Sequence, residues 1–93
     1  VVFNDSAFGN VKRNQQNSHD GRVIASDLQN PDFVKLGESF GVKSSRTDSP
    51  EGLRAALKEG FGHDGPVLIE VKMDLADIPA PWHLYFRPPV RGE

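Results

Sequence analysis

Apolar and polar positions alternate in blocks along the chain. Val1-Val2-Phe3 forms a short apolar run, and Asn4-Asp5 stops it. Asn and Asp favour turns over ladders, so residues 1–5 read as a strand with a turn at its end. Phe8 and Val11 follow at i, i+3, the spacing of one face of a short helix over residues 7–16. Residues 12–22, KRNQQNSHDGR, are polar and aperiodic, and read as a loop. Asn30-Pro31-Asp32 is a helix start, with a capping Asn, Pro at the first helical position and an acid in the first turn. Phe33, Leu36, Gly37 and Phe40 recur at helical spacing, and Gly41 supplies a left-handed stop. Residues 42–47, VKSSRT, form a weak polar strand. Ser49-Pro50-Glu51 repeats the start signal, Leu53, Ala56, Leu57 and Phe61 form the second apolar stripe, and Gly60 or Gly62 ends it. Pro66-Val67-Leu68-Ile69-Glu70-Val71 is the most apolar strand.

Strands that alternate with helices need crossover connections, hence an α/β fold with a parallel sheet. The third strand is the most apolar and belongs in the middle, buried on both faces. The second, with Lys43, Ser44, Ser45 and Arg46, belongs at an edge. The expected spatial order is one-three-two, with strand one presenting its outer edge to material outside these residues. Residues 74–93 change character. Pro79, Pro81, Pro88 and Pro89 oppose regular structure, while Trp82, Tyr85 and Phe86 supply docking bulk. We divide the chain into an α/β part, 1–73, and a proline- and aromatic-rich tail, 74–93.

Composition narrows the function. A chain of 93 residues holds one small domain, and 37% hydrophobic content is low for a self-sufficient core. A net charge of −2 gives no electrostatic case for nucleic acid or membrane. The lack of cysteine excludes a disulfide framework and fits a cytoplasmic protein. No apolar run approaches the ~20 residues of a membrane span. His19, His63 and His83 have no ligand spacing and read as surface residues. Ser6 has no evident base partner, Lys12, Arg13 and Arg22 read as a solvated basic loop, and Gln15 and Gln16 as solvated helix positions.

The ordered set Asn4-Asp5-Ser6-Ala7-Phe8-Gly9, then Asp-Phe-Val-Lys-Leu-Gly-Glu-Ser-Phe-Gly-Val, Ser-Pro-Glu-Gly-Leu, Gly-Pro-Val-Leu-Ile-Glu-Val and Pro-x-Pro-Trp resembles one family. It is similar to the diphosphate-binding domain of thiamine-diphosphate-dependent enzymes, and within them to acetolactate synthases and 2-oxo-acid decarboxylases. The resemblance covers roughly residues 1–82 and implies a flavodoxin-like fold. The family's Gly-Asp-Gly half-motif and its pyrimidine-binding domain do not occur in these residues. We therefore expect a fragment of a homo-oligomeric parent, inactive alone, whose partner is the missing N-terminal part of the same enzyme.

The resemblance implies that thiamine diphosphate and Mg2+ are the cofactors and a 2-oxo acid the substrate. Asp5 would give a side-chain oxygen and Ala7 a backbone carbonyl to the metal. Phe8 and Gly9 would bring backbone N–H groups near the diphosphate, and Val11 would lie near the thiazolium ring. Read from the residues alone, Asp5 is first a cap on the following helix, Gly9 a turn glycine, and Phe8 and Val11 core residues. Two other readings stand beside this one: a receiver-like domain of about five strands with Asp5 as its acidic site, and a non-catalytic interaction module that works through its aromatic tail.

Overall fold

The computed structural model describes residues 1–79. Strands β1 (Val2–Asn4), β2 (Lys43–Thr47) and β3 (Val67–Lys72) form a parallel sheet in the order β1-β3-β2, as the sequence predicts. Helices α1 (Gly9–Ser18), α2 (Phe33–Ser39) and α3 (Pro50–Phe61) connect them, and a 3-10 turn, Leu75–Asp77, follows β3.

Register assigns side chains to faces. Arg46 pairs with Glu70, Val2 with Glu70 and Asn4 with Lys72. Residues that pair, and residues two apart, share a face. Asn4, Arg46 and Glu70 therefore lie on one face, together with Ser44 and Leu68. Helix α2 covers that face through Gly37, where an added Cβ would lie 2.0 Å from Ser44 Oγ and 3.5 Å from Leu68 Cδ1. Helix α3 covers the other face, with Gly60 against Val67 and Gly52 against Thr47. Ile69 and Val71 are the buried apolar centre of β3.

The expected helix starts hold at α3 and shift at α2. Ser49 caps α3, its hydroxyl accepting from the Gly52 N–H at 3.0 Å, with Pro50 in the first turn. At α2 the cap is Asp32, not Asn30; it accepts from the Lys35 N–H at 3.1 Å and the helix begins at Phe33. Asn30 is drawn away because its side-chain amide donates to Asn4 Oδ1 at 2.8 Å. Gly41, at φ 73°, turns the chain out of α2 in the left-handed region. Gly62 caps α3 with right-handed geometry, and Gly60 lies inside that helix.

The largest departure is α1. Residues expected as a polar loop are helical through Ser18. Polar contacts hold them in place of an apolar stripe. Lys12 pairs with Asp27, and the Arg13 guanidinium donates to the Leu75 carbonyl at 3.0 Å and to the Ile78 carbonyl. Lys12 and Arg13 are thus structural residues and not a solvated basic patch. Trp82, Tyr85, Phe86 and His83 lie outside the described residues, as does most of the 74–93 tail.

Candidate functional site

All three strands run the same way, so Asn4, Thr47 and Lys72 mark one end of the sheet. That carboxyl-terminal end is where ligands of open α/β sheets collect. Asp5 follows immediately and is half-buried there. Its Oδ1 accepts from the Ala7 N–H at 3.1 Å, an Asx turn. Its Oδ2 lies beside the start of α1, 2.7 Å from the place where a Gly9 Cβ would stand. Glycine at position 9 is what lets the carboxylate sit against the helix.

The 5–8 turn is framed from outside. The Phe8 N–H donates to the Ser26 carbonyl at 2.8 Å, and the Leu28 N–H donates to the Ser6 carbonyl at 2.7 Å. These two bonds flank an antiparallel bridge between Ala7 and Asp27 and leave the Ala7 carbonyl pointing away from it. Among the described residues no donor meets the Ala7 carbonyl and no cation pairs with Asp5. The first helical bond of α1 runs from the Lys12 N–H to the Phe8 carbonyl at 2.9 Å. The N–H groups of Gly9, Asn10 and Val11 are therefore unengaged among the described residues. The Phe8 N–H is already used by the Ser26 carbonyl, so the free donors begin at Gly9.

Behind this turn lies a polar network that runs from buried Asn4 and Glu70 out to exposed Arg46 and Asp32. Asn4 Nδ2 donates to Glu70 Oε1 at 2.7 Å, and Asn4 Oδ1 accepts from the Ser6 N–H at 3.0 Å. The Arg46 Nε donates to Glu70 Oε2, and an Arg46 terminal nitrogen donates to Asp32 Oδ1 at 2.6 Å. Glu70 is 1% exposed. Burial pushes its carboxyl up, but hydrogen bonds from Asn4 and Arg46 and the charges of Arg46 and Lys72 outweigh this and hold it below the ordinary glutamate value. A cavity of about 370 Å³ opens beside the network, lined by Ser6, Asn30, Arg46 and Lys72 among others.

The profile described as "Thiamine pyrophosphate enzyme, C-terminal TPP binding domain" matches residues 1–71. The chain belongs to this family. Acetolactate synthase from Bacillus subtilis (strain 168) is 39% identical over 77 residues, 83% of this chain and 13% of that protein. The acetolactate synthase catalytic subunit, mitochondrial, of Saccharomyces cerevisiae is 38% identical over 74 residues, 80% of this chain and 11% of that protein. A 3D-(3,5/4)-trihydroxycyclohexane-1,2-dione hydrolase from Bacillus subtilis (strain 168) is 30% identical over 79 residues, 78% of this chain and 12% of that protein. The chain thus spans only a small part of the length of these relatives.

In this thiamine pyrophosphate-binding domain, the sequence-predicted residues Asp5, Ala7, Phe8 and Gly9 come together at one sheet end. Val11 lies on the first turn of α1, 53% exposed, so it is not a core valine within the described residues. Phe8 is 56% exposed. His19 and His63 are exposed and stand apart from the turn. No group of three or more His, Cys, Asp or Glu able to hold a metal occurs among the described residues. Among those residues, too, no helix is long and apolar enough to cross a membrane.

Sequence reasoning missed Glu70 and Gln15. An acid inside an apolar strand expected to be buried on both faces was the available signal for Glu70. Gln15 is not a solvated position. Its Oε1 accepts from Ser26 Oγ at 2.8 Å and from the Ile24 N–H at 3.3 Å, and its Nε2 donates to the Ile24 carbonyl at 3.0 Å.

Proposed function

We propose that this chain is part of the cofactor-anchoring domain of an acetolactate synthase-like enzyme acting on 2-oxo acids. The Asp5 carboxylate and the Ala7 carbonyl hold Mg2+, and the free N–H groups from Gly9 onward face the diphosphate. Val11 faces the thiazolium ring. The supporting observation is the pair of oxygens, Asp5 Oδ2 and the Ala7 carbonyl, left without partners among the described residues beside the start of a helix.

The donor chemistry fits. Mg2+ takes about six hard oxygens and shares them with phosphate. A helix start attracts anions. Asp5 and a diphosphate are both anionic, so they share one helix start only with a cation between them. When bound, thiamine diphosphate supplies the nucleophile and electron sink for cleaving a 2-oxo acid. The residues of this chain anchor and orient it. The remaining metal ligands and the group that activates the cofactor belong to the rest of an acetolactate synthase-like polypeptide, itself a homo-oligomer. Within residues 1–93 we assign 1–73 to the anchor and 74–93 to docking.

Calorimetry with Mg2+ and thiamine diphosphate tests the assignment. The 93-residue chain alone is expected to bind weakly or not at all and to have no decarboxylating or acetolactate-forming activity. In the complete polypeptide that carries the chain, Mg2+-dependent binding is expected, and Asp5→Ala weakens it by at least about tenfold. Unchanged binding in that variant rejects the ligand role.

A further inference from the structure

We infer that Glu70 is a positioning residue for the cation turn, acting through the side-chain amide of Asn4. The inference rests on the reading of Asp5 and Ala7 as cation oxygens. Glu70 touches neither of them.

An amide has a donor end and an acceptor end, and it fits its surroundings in one of two orientations. Ionised Glu70 only accepts, so the Nδ2 end of Asn4 must face it, and does so at 2.7 Å. The Oδ1 end then faces the turn. There it accepts from the Ser6 N–H at 3.0 Å and from the Asn30 amide at 2.8 Å. Ser6 stands at φ 57°, a left-handed conformation that a residue with a Cβ disfavours. The bond from the Ser6 N–H to Asn4 helps hold it there. Ser6 in turn sets the direction in which the Ala7 carbonyl leaves the chain.

A buried carboxylate at this place, paired with a partly exposed arginine, calls for a reason. Apolar side chains of similar volume in place of a buried acid and its partner are often neutral or stabilising. An apolar residue at position 70 would fill β3 equally well, but it would give the Asn4 amide no instruction. Arg46 contributes by keeping Glu70 ionised and turned towards Asn4.

The test uses the complete polypeptide carrying this chain, with Mn2+ titrated in the presence of thiamine diphosphate and followed by electron paramagnetic resonance. Hydrogen exchange at the Ser6 amide is a second readout that needs no metal. In Glu70→Met/Arg46→Met, the folded state is expected to persist with a lowered melting temperature, because the Asn4 amide loses its acceptor, while Ser6 exchange accelerates beyond that of the sheet centre and Mn2+ affinity falls by about 10–100-fold. Glu70→Gln has one acceptor for two donors; with its oxygen taken by the Arg46 guanidinium its NH2 faces Asn4, so it is expected to give the same two changes. If the double variant does not fold, Asn4→Ser removes the amide, spares the ion pair and should give the same two changes. Unchanged Ser6 exchange overturns the hold of Glu70 on the turn. Faster Ser6 exchange with unchanged Mn2+ affinity overturns instead the reading of the turn as a cation site.

Discussion

Asn4 at the end of β1 and Glu70 in the middle of β3 meet through a 2.7 Å hydrogen bond on the α2 face of the sheet. The register places them diagonally, since Glu70 is level with Val2. The bond therefore fastens the last residue of a three-residue edge strand to the buried centre of its neighbour. So short a strand has few ladder bonds, and this contact adds a side-chain tie where the chain leaves the sheet.

Acid should loosen this tie. Burial raises the Glu70 carboxyl, but Asn4 and Arg46 lower it further, so its folded value lies below the ordinary one. Asp32 is lowered too, first by the Lys35 N–H and then, against some desolvation, by Arg46. A lowered carboxyl contributes stability that is whole above its unfolded value and is lost as pH falls through the folded value. Urea midpoints measured from about pH 7 down to about pH 3 should decline, and Glu70→Met/Arg46→Met should flatten the decline. Equal slopes for the two proteins would remove Glu70 from the account of acid sensitivity.

Gly37 sets how closely α2 approaches the sheet. It is buried, and a Cβ there would meet Ser44 Oγ at 2.0 Å and Ser44 Cβ at 3.2 Å. Ser44 Oγ is not free to swing away without loss, because it donates to the Val42 carbonyl at 2.9 Å. Gly37→Ala should destabilise by about 1–3 kcal/mol in a denaturant titration. Adding Ser44→Gly should return part of that loss. A neutral Gly37→Ala would mean that α2 can move outward without cost.

The sequence was most informative where the deciding chemistry is local or additive. Strand order followed from the apolar weight of residues 67–71 against the polar VKSSRT segment. The α3 start followed from Ser49-Pro50, neighbours in sequence whose cap needs nothing else. The α2 start slipped by two residues because Asn30 is claimed by Asn4, 26 positions away, which no local rule registers. The α1 boundary was illegible for the same reason. Its helix is fixed by Gln15, Arg13 and Lys12 reaching distant carbonyls and Asp27, not by a repeating apolar face. At the proposed site, the 4–9 segment was legible as a motif through its family resemblance. Glu70 was not, because its partners Arg46 and Asn4 become neighbours only through strand register.

Gln15 offers the clearest separation of local order from global stability. Its side chain grips Ile24 at both backbone atoms and also accepts from Ser26, which is fully buried. Between those two residues Ala25 is held at φ 55°, a conformation alanine avoids. Release of Gln15 should let Ala25 relax and carry Ser26 with it. The Ser26 carbonyl is the acceptor for the Phe8 N–H, so the 5–8 turn would lose one of its outer supports. Gln15→Ala should therefore accelerate hydrogen exchange at Ile24 and Phe8 and cost about 1–3 kcal/mol overall. Exchange at Ile69 and Val71, in the centre of β3, should rise only as far as that overall loss requires. Gln15→Glu keeps the acceptor for Ser26 and Ile24 but loses the donor to the Ile24 carbonyl, and should fall between the two. If Phe8 exchange stays unchanged in Gln15→Ala, the 24–28 segment does not depend on α1, and the turn is supported from β1 alone.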